Sequence, residues 1–517
     1  MDAKIKDRVT GNLIKSKFDS NTPSPSQVLN LHTAGRSTRV LINPKLNKDS
    51  NIVSKNTLDQ IRTQAGLSIR QTNLLTGGLR TNLGRSVIPP YYREHVSESN
   101  HLLDKFYKHE KINFIGGDSS ETKDFWAVWA PMCPLIEVII SARNLNPQDK
   151  YFIKIMGDSG QNKTKICFLV MPLEDPFSLV RKRHTYAEGG SLGRGFQYSG
   201  INKCIMSFCA PVIKETYTNL QKIFELIKVE EVFMKFENVI FTGDLKFLNE
   251  MYGIMEGSSR HPCLYCTAVI QDLKASQPRT IASLKADNEN WIAAGAKKNS
   301  CKDFNNVKNI PLFKNLPDDL TVLQMSPPPS LHILLGIFNH IWKHMENISE
   351  DHKLALHKFA VSNNCIKETY WGNTFEGNEC SKLMSIISSE ERPLDYLPKI
   401  ENHIAALKSF NKLKQQIFGN TIISGWQTTL KEFYNLYNNI ENISKPPKVH
   451  ILVTHVEEFL IKYAGNKGLG FYSEQTGETI HQKFEQVFDK YKIKNIDSEQ
   501  YGLRLRRAVV EFSSTHI

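Results

Sequence analysis

The sequence has no apolar run long enough to span a bilayer, and its first ten residues, MDAKIKDRVT, lack the apolar core of a secretory signal. Neither a membrane-embedded nor a secreted protein is expected. The nine cysteines among 517 residues are mostly scattered, so a disulfide framework is not expected either. The Gly-rich run Gly189-Gly190-Ser191-Leu192-Gly193-Arg194-Gly195 lacks the Lys-Ser/Thr pair of a phosphate-binding P-loop and reads as a mobile loop. No internal repeat is visible. An excess of acid is also missing: the formal charge is +12, which favours a polyanionic partner, and nucleic acid is the commonest one.

A chain this long outgrows one core, so two to four domains are expected. Residues 1–55 are rich in Ser, Asn, Pro and Lys and read as a flexible basic arm. Over residues 1–100 there are 15 Lys and Arg against 7 Asp and Glu, so most of the net charge sits at this end. Residues 56–115 read as a helical DNA-binding region, with a helix-turn-helix as one candidate form. Its segment 56–85 resembles two short helices broken at Ala65-Gly66, with Arg62, Arg70, Arg80 and Arg85 interleaved. A helix-turn-helix placing these arginines on double-stranded DNA and a basic helical hairpin packed on the next domain fit equally well.

From 116 to 260 the pattern is β/α. YFIKIMGD (151–158) and KICFLVMP (165–172) read as strands, 201–227 as a helix, and 231–244 as one or two further strands. Residues 261–449 read as a large helical insertion broken at Pro327-Pro328-Pro329 and Pro446-Pro447. A last helix over 473–492, carrying Ile480, Phe484, Val487, Phe488 and Tyr491 on one stripe, closes the segment 450–492, and 493–517 is a tail.

Two aspartates stand in one local context: Met-Gly157-Asp158 and Thr-Gly243-Asp244 each close an apolar strand. Carboxylates on neighbouring strands can face one point, and clustered carboxylate oxygens suit Mg²⁺ or Mn²⁺. Two such ions can activate an attacking oxygen and stabilise a leaving one in phosphodiester chemistry. A single Gly-Asp is more often a turn at a strand end. The last helix offers Glu474 and Glu478 as a third carboxylate. They lie one turn apart, so spacing alone leaves both open, as it leaves open a solvated charged face.

His-Pro-Cys263-Leu-Tyr-Cys266 is a CxxC knuckle, and His450-Ile-Leu-Val-Thr-His455 supplies two histidines far downstream. Together they make a Cys2His2 set suited to tetrahedral Zn²⁺, while the CxxC alone could be two buried thiols. Positions i and i+5 face different sides of an α-helix, so His450 is expected just before the helix that carries His455. Arg181-Lys182-Arg183-His184 reads as a solvated charge run or, alternatively, as a phosphate contact or nuclear-import signal.

The order Asp, Asp-CxxC, Leu-His, H-x4-H, Ser-Glu-x-x-x-Glu resembles the catalytic core shared by the RAG family of V(D)J recombinase catalytic subunits and Transib-like transposases. The resemblance spans about 150 to 492 through motifs. It implies an α/β RNase H-like catalytic domain interrupted by an all-α insertion, with Asp158 and Asp244 as the first two catalytic carboxylates. The family's glutamate lies six residues before a Phe, a spacing that selects Glu478 (with Phe484) over Glu474. Cys263, Cys266, His450 and His455 match its structural zinc ligands. SLHILLG (330–336) maps the family's active-site histidine to His332, and FEGNECSKLM (375–384) keeps only Lys382 of a basic pair. The implied activity is cutting and joining of transposon-end DNA by a nuclear homodimer. No match to the recombinase's nonamer-binding segment or to a RING-type zinc module is present, so a transposase or a transposase-derived gene is expected. The alternative is a domesticated DNA-binding or regulatory protein that does not cut.

Overall fold

The computed structural model describes the strand pair 27–33 and 36–42, residues 72, 76 and 77, and the chain from 102 to 516 except 118–120, 144, 146–149, 161–162, 173–202, 256–259, 275, 369–372, 391–393 and 395–396. The segment 56–71, Arg80, Arg85, the basic run 181–184 and the Gly-rich run 189–195 lie outside the described residues. So do the side chains of Thr476 and Glu478.

Within the stretch expected to be a flexible arm, β1 (Gln27–Thr33) and β2 (Arg36–Ile42) pair antiparallel from Gln27↔Ile42 to Thr33↔Arg36. A two-residue connection between ladders of matching length is hairpin geometry, which composition alone does not signal. The remaining strands are β3 (Lys108–Ile115), β4 (Thr122–Trp129), β5 (Tyr151–Gly160), β6 (Lys163–Pro172), β7 (Ile205–Pro211) and β8 (Asn238–Thr242). They form a mixed six-stranded sheet in the order β3-β4-β7-β6-β5-β8. With the many helices, this makes an α/β domain with extensive helical regions.

The chain divides into two compact units. The first comprises Met1–Phe152, Gly160–Ile213 and Thr479–Ile517, and the second Ile153–Ser159 and Lys214–Glu478. In the first, β3 pairs antiparallel with β4, and β7 is antiparallel to both β4 and β6. The expected tail instead contains the helix Glu499–Ser514, which packs on β3, β4 and β7. Gly502 permits this: a Cβ there would lie 2.4 Å from Trp126 Cε3. Ser513 receives the hydroxyl of Tyr107 at 3.0 Å, and Phe512 meets Phe484 edge-on at 5.7 Å.

The helix expected over 201–227 is two elements. Ile205–Pro211 is strand β7, buried at every position, and the helix spans only Tyr217–Ile227, capped by Thr216. A strand covered on both faces shows an unbroken apolar run, and such a run does not distinguish strand from buried helix by period. The strands expected over 231–244 are also corrected. Val229–Lys235 is a helix, entered through Lys228 at φ 56, and only Asn238–Thr242 is extended.

In the second unit the helical insertion is built around Ser330–Glu346. This helix packs against Glu350–Ser362, Gly377–Ser389, Glu401–Ile417 and Pro447–His450. It starts directly after Pro329 and buries Ile333, Leu334, Ile337, Phe338, Ile341, Trp342 and Met345, an i, i+3, i+4 stripe. Glu401–Ile417 and Trp426–Asn438 form a helical pair, with the rings of Phe410 and Phe433 5.1 Å apart. No described helix is long and apolar enough to cross a membrane.

Candidate active site and metal centre

One narrow cleft in the second unit is lined by Asp158, Asp244 and Glu474, with Gly157, Gly243 and Gly477 between them. The glycines explain how two strands bring their aspartates together. A Cβ on Gly157 would lie 2.4 Å from Phe247 Cζ, and one on Gly243 would lie 3.0 Å from the Gly157 carbonyl oxygen. Each Gly-Asp is therefore a close-approach site and not merely a turn. Asp158 lies within β5, two residues before its end.

Asp244 is the N-cap of the helix Leu245–Tyr252. Its Oδ1 accepts from Phe247 N–H at 2.6 Å, while its other oxygen makes no hydrogen bond among the described residues. The cap fixes the rotamer and satisfies an amide that the helix leaves unpaired. Asp158 Oδ1 accepts from the Ser159 backbone at 2.7 Å.

Glu474 is buried, and Oε1 accepts from the backbone N–H of His332 at 3.1 Å and from its Nδ1–H at 3.0 Å. Burial disfavours the imidazolium of His332. The Glu474 hydrogen bond and the charges of Glu474 and Asp244 outweigh that, so its pKa is raised overall. His332 thus joins the cleft through Glu474. Lys154 on β5 donates to the carbonyls of Ser473 at 2.5 Å and Phe471 at 3.2 Å. A buried ammonium must be paired with acceptors, and these two carbonyls tie the segment carrying Glu474 to the strand carrying Asp158.

Glu215, which sequence reasoning missed, faces the same acids. Burial, then the charge of Asp244 and more weakly that of Asp158, raise its pKa to about 8 against the pull of Lys246 and Ser159. Its Oε1 is buried without a hydrogen bond, 3.9 Å from Lys246 Nζ. A lone Glu before a helix cap carries no sequence signal for this. Lys382, by contrast, is exposed on the helix Gly377–Ser389.

Cys263, Cys266, His450 and His455 form a second cluster in the same unit. All four are buried, and their ligand atoms lie within 4.8 Å of one another, the one such group among the described residues. The carboxylates of the cleft do not converge so tightly. His450 is not separated from the helix of His455, as the i, i+5 spacing suggested. Residues Ile451–Val456 form a π-helix continuous with Pro447–His450. Its i→i+5 repeat puts both histidines on one face, with ring centroids 5.0 Å apart.

The donor set fits a tetrahedral metal. His450 Nδ1–H donates to the Leu273 carbonyl at 3.0 Å, leaving Nε2, 3.3 Å from Cys266 Sγ, as the lone-pair donor. Both ring nitrogens of His455 are buried without a hydrogen bond, a costly state that a metal bond relieves. The hydrogen bond from Cys263 leads the effects that lower the Cys266 thiol pKa, and the two histidines add to it. These residues form a buried Cys2His2 cluster that can hold a zinc ion. Arg279, fully buried, donates through Nε to the carbonyls of Cys263 at 3.0 Å and Cys266 at 3.2 Å, holding the knuckle's backbone.

No protein-family profile matches the chain, and no curated protein matches it.

Proposed function

We propose that this chain is a DDE-type transposase or recombinase with an RNase H-like catalytic core, which cuts and joins DNA at element ends. The observation that carries the reading is the single cleft lined by Asp158, Asp244 and Glu474, in the unit that also holds the Cys2His2 cluster. The strand order β7-β6-β5-β8, with two helices between β7 and β8 in sequence, supports the RNase H-like assignment. The basic charge supports a DNA partner. A nuclear homodimer holding two DNA ends is part of the proposal.

Bound Mg²⁺ or Mn²⁺ would supply Lewis acidity to the attacking and leaving oxygens of the phosphodiester. Asp158 and Asp244 would bind these ions, with Glu215, whose carboxyl is electrostatically coupled to both, as a further acid. The third carboxylate would be Glu474, which lines the cleft just before the helix Gln475–Phe488, or Glu478 within that helix, the residue that the family's spacing selects. His332 orients Glu474 through two hydrogen bonds. Lys154 and the cap at Asp244 hold the acids in place before substrate arrives, which reduces the reorganisation needed during the reaction.

The test is nicking of supercoiled plasmid by the full chain in Mn²⁺. The wild type nicks, and Asp158→Asn and Asp244→Asn do not. Glu474→Gln and Glu478→Gln, compared side by side, identify the third carboxylate by which one abolishes nicking. Wild-type rates in both aspartate variants would end the reading.

A further inference from the structure

Lys448 follows Pro447 at the start of the short helix Pro447–His450. Its side chain lies across the helix Ser330–Glu346 at Gly336. A Cβ built on Gly336 would meet Lys448 Cδ at 2.0 Å and Cε and Nζ at 2.9 Å. Glycine inside a helix costs about 1 kcal/mol relative to alanine. Here it opens the groove in which the lysine lies. The ammonium thus lies against Gly336, one helical turn from His332, whose two hydrogen bonds hold Glu474 of the carboxylate cleft.

A lysine held there to neutralise the acids would be expected to pair with one of them. The unit makes such pairs elsewhere: Lys367 meets Glu346 at 2.6 Å and Lys308 meets Glu250 at 2.8 Å. The Lys448 ammonium makes no hydrogen bond or ion pair among the described residues. Its three N–H donors are therefore available to an incoming acceptor. Beside carboxylates suited to divalent cations, the complementary ligand is an oxyanion.

We propose that Lys448 binds a non-bridging oxygen of the phosphodiester being cut, a role that rests on the nuclease reading above. The lysine then places the phosphate over the carboxylates, and Gly336 sets where the lysine reaches.

The test is single-turnover nicking of supercoiled plasmid in Mn²⁺ by full-length Lys448→Ala, Lys448→Arg and Gly336→Ala, with Asp244→Asn as the blank. Melting temperature and zinc content are measured on every variant. Lys448→Ala is expected to lose on the order of a hundredfold in rate, as when one charge-stabilising donor is removed, with melting, zinc content and Mn²⁺ half-saturation unchanged. Lys448→Arg keeps most of the rate, and Gly336→Ala reproduces the loss because its methyl displaces the stem. A Lys448→Ala variant that nicks at the wild-type rate, or whose loss is repaired by more Mn²⁺, overturns the proposal. If Asp244→Asn nicks as fast as the wild type, the nuclease reading falls separately. The lysine is then judged by anisotropy of a fluorescent 30-base-pair duplex in Ca²⁺. A salt slope lower by about 0.9 in Lys448→Ala supports a phosphate contact, and an unchanged slope overturns it.

Discussion

The rings of His450 and His455 lie 5.0 Å apart although five positions separate them in the chain. In an α-helix they would diverge, because 3.6 residues make a turn. The π-helix Ile451–Val456 brings them onto one face beside Cys263 and Cys266. Such widened turns concentrate at functional sites, and here the widening completes a ligand set.

Purified protein should therefore contain about one zinc per chain. A Cys263→Ser/Cys266→Ser double variant should lose it and melt at a lower temperature. Metal analysis and thermal melting check this. A double variant that keeps both its zinc and its melting temperature would remove the cluster from the account.

Lys154→Met removes the donor to the Phe471 and Ser473 carbonyls. Leaving buried acceptors unpaired costs about 1–3 kcal/mol. The variant should also nick more slowly at saturating Mn²⁺, because Glu474 follows those carbonyls in sequence. Urea unfolding measures the first effect and single-turnover nicking the second. A loss of stability alone would mean that the lysine does not position the glutamate.

Gly157→Ala should destabilise by about 1–3 kcal/mol through overpacking against Phe247. Phe247→Leu should recover part of that loss. A double-mutant cycle with no coupling would show that the ring does not set the approach of the two strands.

Burial lowers the pKa of His516 to about 3 and that of His403 to about 4, against the usual 6.5. Below pH 6.5 the unfolded chain takes up protons that the folded chain refuses. Their stabilising contribution is thus full above pH 6.5 and is lost as pH falls from there toward 4. Melting temperature should drop over this range, and less steeply in His516→Gln. An identical pH profile in that variant would contradict the assignment.

What the sequence makes legible follows from how local each signal is. The strands at 151–172 stand out as apolar runs, and the cysteine and histidine pairs as ligand types at short spacing. Strand β7 does not stand out, because its fully buried run carries no period. The Gly-Asp pairs are visible, but the function of each glycine depends on Phe247 and on the opposite strand. Glu474 and Glu478 are equivalent by helical spacing, and the hydrogen bonds that reach Glu474 come from His332, 142 residues away, which no short pattern signals. Lys154, Glu215 and Lys448 act through contacts or charges remote in sequence, so no short pattern marks them.

The most direct measurement is anomalous scattering from crystals grown with Mn²⁺. Manganese is expected in the cleft, bound by Asp158 and Asp244, with two ions about 3.5–4 Å apart when DNA is present. A cleft that stays free of manganese at millimolar concentration, with or without DNA, would contradict it.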